Sequence, residues 1–285
     1  MVQIVALTHR VIAFAVNTME IFIEIADVGV KIVLGDRSLF NEDFSKFTSN
    51  EQASSDFFRL NIHKRSDPHP PGSFIATSID IYSNNGKKII KRQDFEAELD
   101  LNSWEGSASI SSPHSFEALL RIAYSFILPQ KEGLVVHAAS VVKGGLSYLF
   151  PGKSGAGKTT IVNLSPGAKI LTDDVSVIRG INSQPVAYGT PFHGSLEEPG
   201  KNIKEPLAGI YFPVKDKRDY IEKLHPKSAL ERLLQNIVFF GEEKKLIRKA
   251  FKFSHQLVKQ LPCYNLHFRR DSSVWQCIHE KQGKN

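Results

Sequence analysis

The chain has 285 residues, of which 41% are hydrophobic and 23% are charged, and its formal net charge is +6. This composition excludes a disordered chain and is typical of a globular protein that forms one large domain or two modest ones. The positive charge is spread along the chain in short clusters. A solvated surface explains it best, phosphate-rich ligands come second, and we expect no nucleic-acid partner.

Cysteine content and the N-terminus indicate the compartment. The two cysteines, Cys263 and Cys277, have no spacing typical of a disulfide framework or a zinc site, which favours a reducing cytoplasm. The longest apolar run near the N-terminus, residues 11–16, is too short to span a bilayer and is not followed by a small-residue cleavage site. We therefore predict a cytoplasmic protein with no targeting signal and no membrane partner.

The first part of the chain, residues 1–111, is predicted to be a mainly antiparallel β region. Asn85-Gly86 supplies the positive φ angles of a tight hairpin, and a proline-rich stretch, residues 63–72, is predicted to be a surface loop. No motif indicates the role of this region. Its predicted strands cover residues 3–16, 20–25, 31–34, 75–82 and 88–101.

The second part, residues 112–285, alternates predicted strands and helices. Ser112-Pro113 begins a helix, because serine is a good N-cap and proline is tolerated at the first helical position. A hairpin, with strands at residues 134–142 and 146–150, turns at Lys143-Gly144-Gly145. Later strands are predicted at 169–172, 175–179, 186–188 and 264–268, and helices at 226–239, 242–260 and 273–281. The apolar face of the first helix comprises Phe116, Leu119, Leu120, Ala123 and Ile127.

Residues 152–159 read Gly-Lys-Ser-Gly-Ala-Gly-Lys-Thr and fit the pattern of a phosphate-binding loop at every fixed position. Chance alone produces this pattern roughly once in a hundred chains of this length and average composition. An apolar strand precedes the loop, and a short helix that ends at residues 165–167 follows it. This order favours a functional phosphate-binding loop over a chance match.

The chemistry of this phosphate loop predicts a triphosphate ligand with its metal ion. Its backbone N–H groups would converge on the phosphates, Lys158 would lie along the β and γ phosphates, and the Thr159 hydroxyl would ligate Mg²⁺. We therefore predict that the chain binds ATP and Mg²⁺. The predicted nucleotide-binding residues are Gly152, Lys153, Ser154, Gly155, Ala156, Gly157, Lys158, Thr159 and Thr160.

Asp173-Asp174 follows Lys158 by 15 and 16 residues, at the end of a predicted strand that we expect to lie beside the strand leading into the loop. Two carboxylates at a strand end face different directions, so one would reach the Mg²⁺ shell while the other faces an incoming hydroxyl. The alternative is a pair that caps the next turn, which is a common use of aspartate. The nearby phosphate loop favours the functional interpretation.

Residues 134–177 resemble the HPr kinase/phosphorylases, which share a nucleotide-binding core with ATP-dependent phosphoenolpyruvate carboxykinases. The resemblance rests on His137, the hairpin, the phosphate loop and the segment Ala-Lys-Ile-Leu-Thr-Asp-Asp that ends at residue 174. It implies that Asp174 is the base toward a substrate serine, Asp173 the metal-side carboxylate and His137 a residue beside the phosphates. From its apolar neighbours alone, His137 would more often be a buried core histidine whose hydrogen bonds are satisfied.

The resemblance also implies the fold. It implies an α/β (α+β) protein with a carboxykinase-like P-loop domain around a mixed sheet, preceded by the mainly antiparallel region. HPr kinases form hexamers, and a homo-oligomer is one alternative for this chain. Because the N-terminal region differs from theirs, the resemblance does not give the number of subunits.

The chain departs from the family after the acidic pair. The glycine-rich signature of HPr kinases is not recognisable, and residues 189–195, followed by Glu197-Glu198, stand in its place. They resemble the variant found in HPr-kinase-related proteins, some of which are associated with peptide modification. The resemblance implies a second metal-side carboxylate near Glu197 or Glu198, of which Glu197 is the candidate, with a solvated acidic turn as the alternative. His193 is a candidate for contact with nucleotide or substrate, with a loop histidine that has no catalytic role as the alternative. Lys227 and Arg232 are candidates for the position of the family's phosphate-contacting arginine.

Three functions are compatible with these motifs. The first is an ATP- and Mg²⁺-dependent kinase that transfers the γ-phosphoryl group to a hydroxyl, with a serine of a protein or peptide as the expected acceptor. The second is a nucleotide-gated regulatory protein with weak ATPase activity, in which the N-terminal region recognises a partner. The third, a carboxykinase or small-molecule kinase, would need extra basic residues that the sequence does not place.

Overall fold

The structure, a computed structural model, describes residues 18–49, 57–66, 78–270 and 273–282. The described chain is a mixed α/β protein with two mixed sheets. Contacts divide it into two units, one ending at Ala123 and the other beginning at Tyr124. This division falls within a helix that begins just after the predicted boundary at residues 111 and 112. The strand predicted at residues 3–16 lies outside the described residues, as does most of the predicted proline-rich loop.

The N-terminal unit contains a seven-stranded sheet in the order β1-β2-β3-β7-β6-β5-β4. Four of the six pairings are antiparallel, in keeping with the predicted β region, but β3 runs parallel to both β2 and β7. The strands are β1 Met19–Ile25, β2 Val28–Leu34, β3 Phe57–Lys64, β4 Asp80–Asn84, β5 Lys87–Arg92, β6 Phe95–Asp100 and β7 Glu105–Ile110.

Local sequence explains the β4–β5 turn and the start of the helix that follows the sheet. Asn85 and Gly86, with φ of 49° and 81°, form the predicted two-residue turn between β4 and β5. The single strand predicted at residues 88–101 is wrong, because the chain turns at residues 93 and 94 and forms β5 and β6. Helix α1, Pro113–Ile127, begins where Ser112 Oγ accepts the Ser115 N–H at 3.2 Å, and its predicted apolar face is fully buried.

The C-terminal unit is built on an eight-stranded sheet in which β9, β13 and β15 run parallel to one another. The predicted hairpin is confirmed: β8 and β9 are antiparallel and connected by Gly144-Gly145, with φ of 63° and 77°. The strands are β8 Gly133–Lys143, β9 Leu146–Pro151, β10 Lys169–Thr172, β11 Val175–Ile181, β12 Gln184–Tyr188, β13 Lys204–Lys215, β14 Tyr220–Lys223 and β15 Cys263–Phe268.

Helices cover both faces of this sheet, so alternate residues of its strands enter two separate cores. On one face, Leu149 and Phe212 pack with the helices α3, Pro226–Leu234, and α4, Lys244–Gln260. On the other face, Phe150 and Tyr211 pack with α2, Lys158–Asn163, and α5, Val274–Gln282. Burial on both faces explains the nearly continuous apolar runs of β8 and β9.

The first of the three predicted late helices is shorter than expected. It was predicted over residues 226–239, but α3 ends at Leu234. The following residues pair with β8 instead, because Asn236 O accepts the His137 N–H at 2.7 Å and Val238 N–H donates to Val135 O at 2.9 Å. Tertiary hydrogen bonds therefore override the local helical pattern here. Among the described residues, no helix combines the length and apolarity needed to cross a bilayer.

Candidate active site

The phosphate loop lies at the sheet edge where β9, β13 and β15 end, since parallel strands have their carboxyl ends at one edge. Two of its glycines have left-handed backbones, Gly155 with φ of 79° and Gly157 with φ of 105°. Ala156 N–H donates to Lys153 O at 3.1 Å and closes the turn before α2 begins at Lys158. Because α2 has six residues, we attribute anion affinity mainly to the loop and Lys158 rather than to the helix dipole.

The two left-handed glycines offer a matched pair of stability tests. Alanine in this backbone region costs about 1–2 kcal/mol, so both Gly155→Ala and Gly157→Ala should destabilise the protein. A Cβ at Gly155 would meet no described atom within 4 Å, whereas one at Gly157 would lie 2.6 Å from Phe268 Cζ. Urea unfolding should therefore show a loss for Gly157→Ala that is larger by about 1 kcal/mol or more. Equal losses would contradict the close approach of Phe268 to the loop.

Lys158 is buried, with 7% of the residue exposed. Its ammonium group donates to Gly152 O at 2.7 Å and to Lys153 O at 3.2 Å, and Nζ lies 2.9 Å from His137 Nε2. Burial lowers the pKa of Lys158, and the carboxylates of Asp174 and Asp173 oppose this shift. The loop therefore holds a partly desolvated cation that an anionic ligand would stabilise.

His137 connects Lys158 to Asp174. An ammonium group can only donate, so His137 Nε2 accepts from Lys158 and the ring proton lies on Nδ1. That nitrogen is 3.1 Å from Asp174 Oδ1. The resulting hydrogen-bond network, Lys158–His137–Asp174, fixes the imidazole ring and orients the Asp174 carboxylate. With 32% of its side chain exposed, His137 is not a fully enclosed core histidine.

The strand order corrects one expectation about this site. Asp173-Asp174 was expected on a strand beside β9, but β10 pairs with β8, and β8 separates it from β9. The reason is the length of β8, whose two edges accommodate β9 on one side and both β10 and β11 on the other. His137 lies on this intervening strand, between the loop and the acidic pair.

Asp173 has a structural role. Its two carboxylate oxygens accept the N–H groups of Gly194 and Ser195, each at 2.8 Å, and 2% of the residue is exposed. Thr172 Oγ1 also donates to Phe192 O at 2.6 Å. The end of β10 thus holds residues 192–195 against the site. This is more than the cap of a next turn, because the bonded loop lies about twenty residues further along the chain.

One cavity of about 350 Å³ contains these groups. It brings His137, Asp173 and Asp174 together with six residues of the predicted nucleotide site. Gly194, Ser195 and Lys215 also line it. Sequence reasoning missed Lys215 because strand β13, which carries it, was not predicted. The six residues of the nucleotide site are Ser154, Gly155, Gly157, Lys158, Thr159 and Thr160.

Other predicted residues lie elsewhere. Glu197 is exposed and does not line this cavity. His193 Nδ1 donates to Leu196 O at 2.8 Å, which fixes its own loop. The guanidinium of Arg232 lies over the Phe212 ring, 4.9 Å from its centre, and donates to Asn265. Lys227 is exposed near the start of α3.

The donors present fit Mg²⁺ held jointly with phosphates better than a preformed metal cage. Among the described residues, no three His, Cys, Asp or Glu side chains cluster as a metal-binding group. Thr159 and Asp173 are oxygen donors in the cavity, and each Asp173 oxygen accepts one N–H and keeps a second lone pair. Mg²⁺ typically takes one or two protein ligands and substrate phosphates. Comparison of the chain with protein-family models and with curated proteins finds no match.

Proposed function

We propose that this protein is an ATP- and Mg²⁺-dependent kinase that transfers the γ-phosphoryl group to a hydroxyl, with a serine of a protein or peptide as acceptor. The observation that carries the proposal is the shared cavity, in which the phosphate loop, Lys158, His137 and both aspartates meet. A phosphate loop alone would support nucleotide binding. The second carboxylate, Asp174, oriented by His137 at 3.1 Å, supports transfer to an acceptor.

Each residue has a role in this proposal. Lys158 would neutralise the charge that develops on the phosphoryl oxygens. Thr159 and Asp173 would hold Mg²⁺, which supplies charge neutralisation across the β and γ phosphates when bound. Asp174 would accept the acceptor's hydroxyl proton while the new O–P bond forms and ADP leaves. His137 would hold Asp174 in position through its Nδ1–H.

We propose further that the C-terminal unit has the phosphoenolpyruvate carboxykinase type of P-loop core, as the resemblance to HPr kinase/phosphorylases implies. Support comes from the order of elements: a hairpin whose second strand enters the phosphate loop, a short helix, and a strand that ends in the acidic pair. The mixed sheet, in which the loop strand is parallel to β13 and antiparallel to β8, agrees with that expectation.

Asp174→Asn tests the kinase proposal directly. We expect the variant to bind Mg-ATP with an affinity close to that of the wild type, since Lys158 and the loop remain. Transfer should fall by about 10²–10⁴-fold, because the amide cannot accept the hydroxyl proton. Binding is measured by calorimetry, and transfer by labelling from γ-labelled ATP of serine-containing peptides encoded beside the gene, with serine-to-alanine peptides as blanks.

Glu197→Gln is the matched control for that experiment. It removes the same charge from an exposed carboxylate outside the cavity, so binding and transfer should both stay at wild-type levels. A higher Mg²⁺ concentration required for transfer by this control variant would instead indicate that Glu197 is a metal ligand. A wild-type protein that binds no Mg-ATP in the calorimeter would reject the kinase proposal.

The alternative is a nucleotide-gated regulatory protein. It is favoured by the N-terminal unit, which has its own sheet and its own buried core and contributes none of its described residues to the cavity. The same Asp174→Asn variant separates the two functions: a kinase loses transfer, whereas a regulatory protein keeps the affinity for its partner.

A further inference from the structure

The loops that follow β13 and β15 lie at the same sheet edge as the phosphate loop. The three strands β9, β13 and β15 are parallel neighbours, so their carboxyl ends are side by side. Lys215, the last residue of β13, lines the phosphate cavity. Phe268, the last residue of β15, lies so near Gly157 that an added Cβ would meet its ring at 2.6 Å. The chain on either side of Tyr220 and His267 therefore borders the phosphate loop.

At this place the structure holds a stacked aromatic pair. The rings of Tyr220 and His267 have centroids 4.1 Å apart and an interplanar angle of 10°. Asp216 Oδ2 accepts from His267 Nδ1 at 2.9 Å and from the Tyr220 hydroxyl at 3.4 Å. Its other oxygen accepts the Lys217 N–H at 2.6 Å. The His267 hydrogen bond lowers the pKa of Asp216, which keeps this carboxylate ionised and the pair fixed.

Tyr220 of this pair is exposed and lines a cavity. Tyr220 is 44% exposed, although it is a large aromatic residue, and it lines an open cavity of about 560 Å³ with Asp216, Arg218 and Asp219. Cross-strand packing between β14 and β15 explains why Tyr220 contacts His267. It does not explain the cavity beside the ring or the hydrogen bonds that fix the ring in place.

The positions of the histidine and the two aspartates indicate the orientation in which a nucleotide would bind. His137, Asp173 and Asp174 lie on the β8 and β10 side of β9, so the γ-phosphate would face that side. The remainder of the molecule would then extend toward β13 and β15. We propose that the base of the nucleotide stacks on the exposed ring of Tyr220, so that residues 216–220 and His267 form the nucleobase subsite. This inference rests on the proposed nucleotide-binding function.

The test compares Mg-ATP with Mg-tripolyphosphate, which has the phosphates but no base. Tyr220→Ala should weaken ATP binding by about tenfold, the scale of one lost aromatic–base stack. It should leave tripolyphosphate affinity unchanged, and that retained affinity also shows that the phosphate loop is intact. Tyr220→Phe keeps the ring and should bind ATP nearly as well as the wild type. Tyr82→Ala, which removes a 48% exposed tyrosine from the N-terminal sheet, is the matched control and should change neither affinity.

The outcomes separate the two proposals. If the wild type binds both ligands and Tyr220→Ala leaves ATP affinity unchanged, the nucleobase subsite is wrong and the kinase proposal stands. The same conclusion follows if Tyr220→Ala weakens both ligands equally, because the effect is then not specific to the base. If the wild type binds neither ligand, the nucleotide-binding function fails and the subsite fails with it.

Discussion

Replacing Lys158 with methionine should reduce phosphoryl transfer from Mg-ATP by about 10²–10³-fold or more, the typical loss when a preorganised charged or hydrogen-bonding group at a transition state is removed. Lys158 is the buried cation of the phosphate loop, held by Gly152 O, Lys153 O and His137 Nε2. Methionine has a similar length and no charge, so its side chain should fill the space that the lysine side chain occupies in the loop. Initial rates of labelling at saturating Mg-ATP measure the effect.

Lys153→Met is the control within the same loop. Lys153 is exposed and does not line the cavity. Transfer should therefore remain within a few-fold of the wild type. Equal losses in the two variants would show that general positive charge of the loop, and not the buried ammonium of Lys158, supports the reaction.

Stability should respond to Lys158→Met in the opposite sense to activity. Burial lowers the pKa of Lys158 in the folded protein below its unfolded value. Protonation therefore favours the unfolded chain, and the cost to the folded protein is fully present below the folded pKa and disappears as pH rises through the unfolded value. The melting temperature of the variant should not fall at pH 7. A marked fall would mean that the hydrogen bonds of Lys158 outweigh the cost of its burial.

The features that the sequence predicted correctly are those determined by local geometry. The phosphate loop needs left-handed glycines, and Gly155 and Gly157 have that backbone. The hairpin needs a two-residue turn with positive φ, which Gly144-Gly145 provides. Such features depend on a few adjacent residues, so they can be recognised without knowing the neighbours of a strand.

Four strands, β3, β7, β13 and β14, were missed, and β3 and β13 show two different reasons. Strand β3 alternates buried Phe58, Leu60 and Ile62 with exposed residues, so period-two counting could have found it. Strand β13 contains Pro206 and Pro213, which argue against a central strand. Both prolines lie outside the part of β13 that pairs with β9, residues 207–210, so neither removes a hydrogen bond from that ladder. The missing prediction of β13 is why Lys215 was missed.

Strand order was beyond local sequence because it depends on long-range pairing. Nothing adjacent to Asp173 indicates that β8 lies between β10 and β9. The surroundings of Glu197, a metal-side candidate implied by the resemblance, were likewise beyond local sequence, and its side chain is exposed. The local backbone of the loop was therefore more predictable than the order of the strands around it.

Replacing Asp94 with alanine should destabilise the N-terminal unit by about 3–5 kcal/mol, the usual loss when one partner of a buried ion pair is removed. Asp94 has 2% of its side chain exposed and contacts Arg92 through two nearly parallel bonds, Nε to Oδ1 at 2.5 Å and Nη2 to Oδ2 at 2.7 Å. Ser115 Oγ donates to the same carboxylate at 2.6 Å. The variant leaves the Arg92 guanidinium, whose side chain is 11% exposed, without this carboxylate.

Urea unfolding at pH 7 measures this loss, and Glu105→Ala is the control. Glu105 and Arg59 form an exposed ion pair at 3.7 Å, so removing this carboxylate should change stability little. Replacing Arg92 and Asp94 together with methionine and leucine should recover part of the loss, because no uncompensated charge then remains buried. A double variant as unstable as Asp94→Ala would show that packing around residue 94, rather than the unpaired guanidinium, causes the effect.

The pH dependence of the Asp94→Ala loss gives a second, independent check. Burial raises the pKa of Asp94, but the hydrogen bonds from Arg92 and Ser115, with the attraction of the guanidinium, outweigh burial and lower it overall. A lowered folded-state pKa means that the stabilisation is present above the unfolded value and is lost as pH falls through the folded one. The difference between wild type and variant should therefore be constant near neutral pH and shrink below about pH 4. A difference that stays constant down to pH 2 would mean that the carboxylate's charge does not contribute to it.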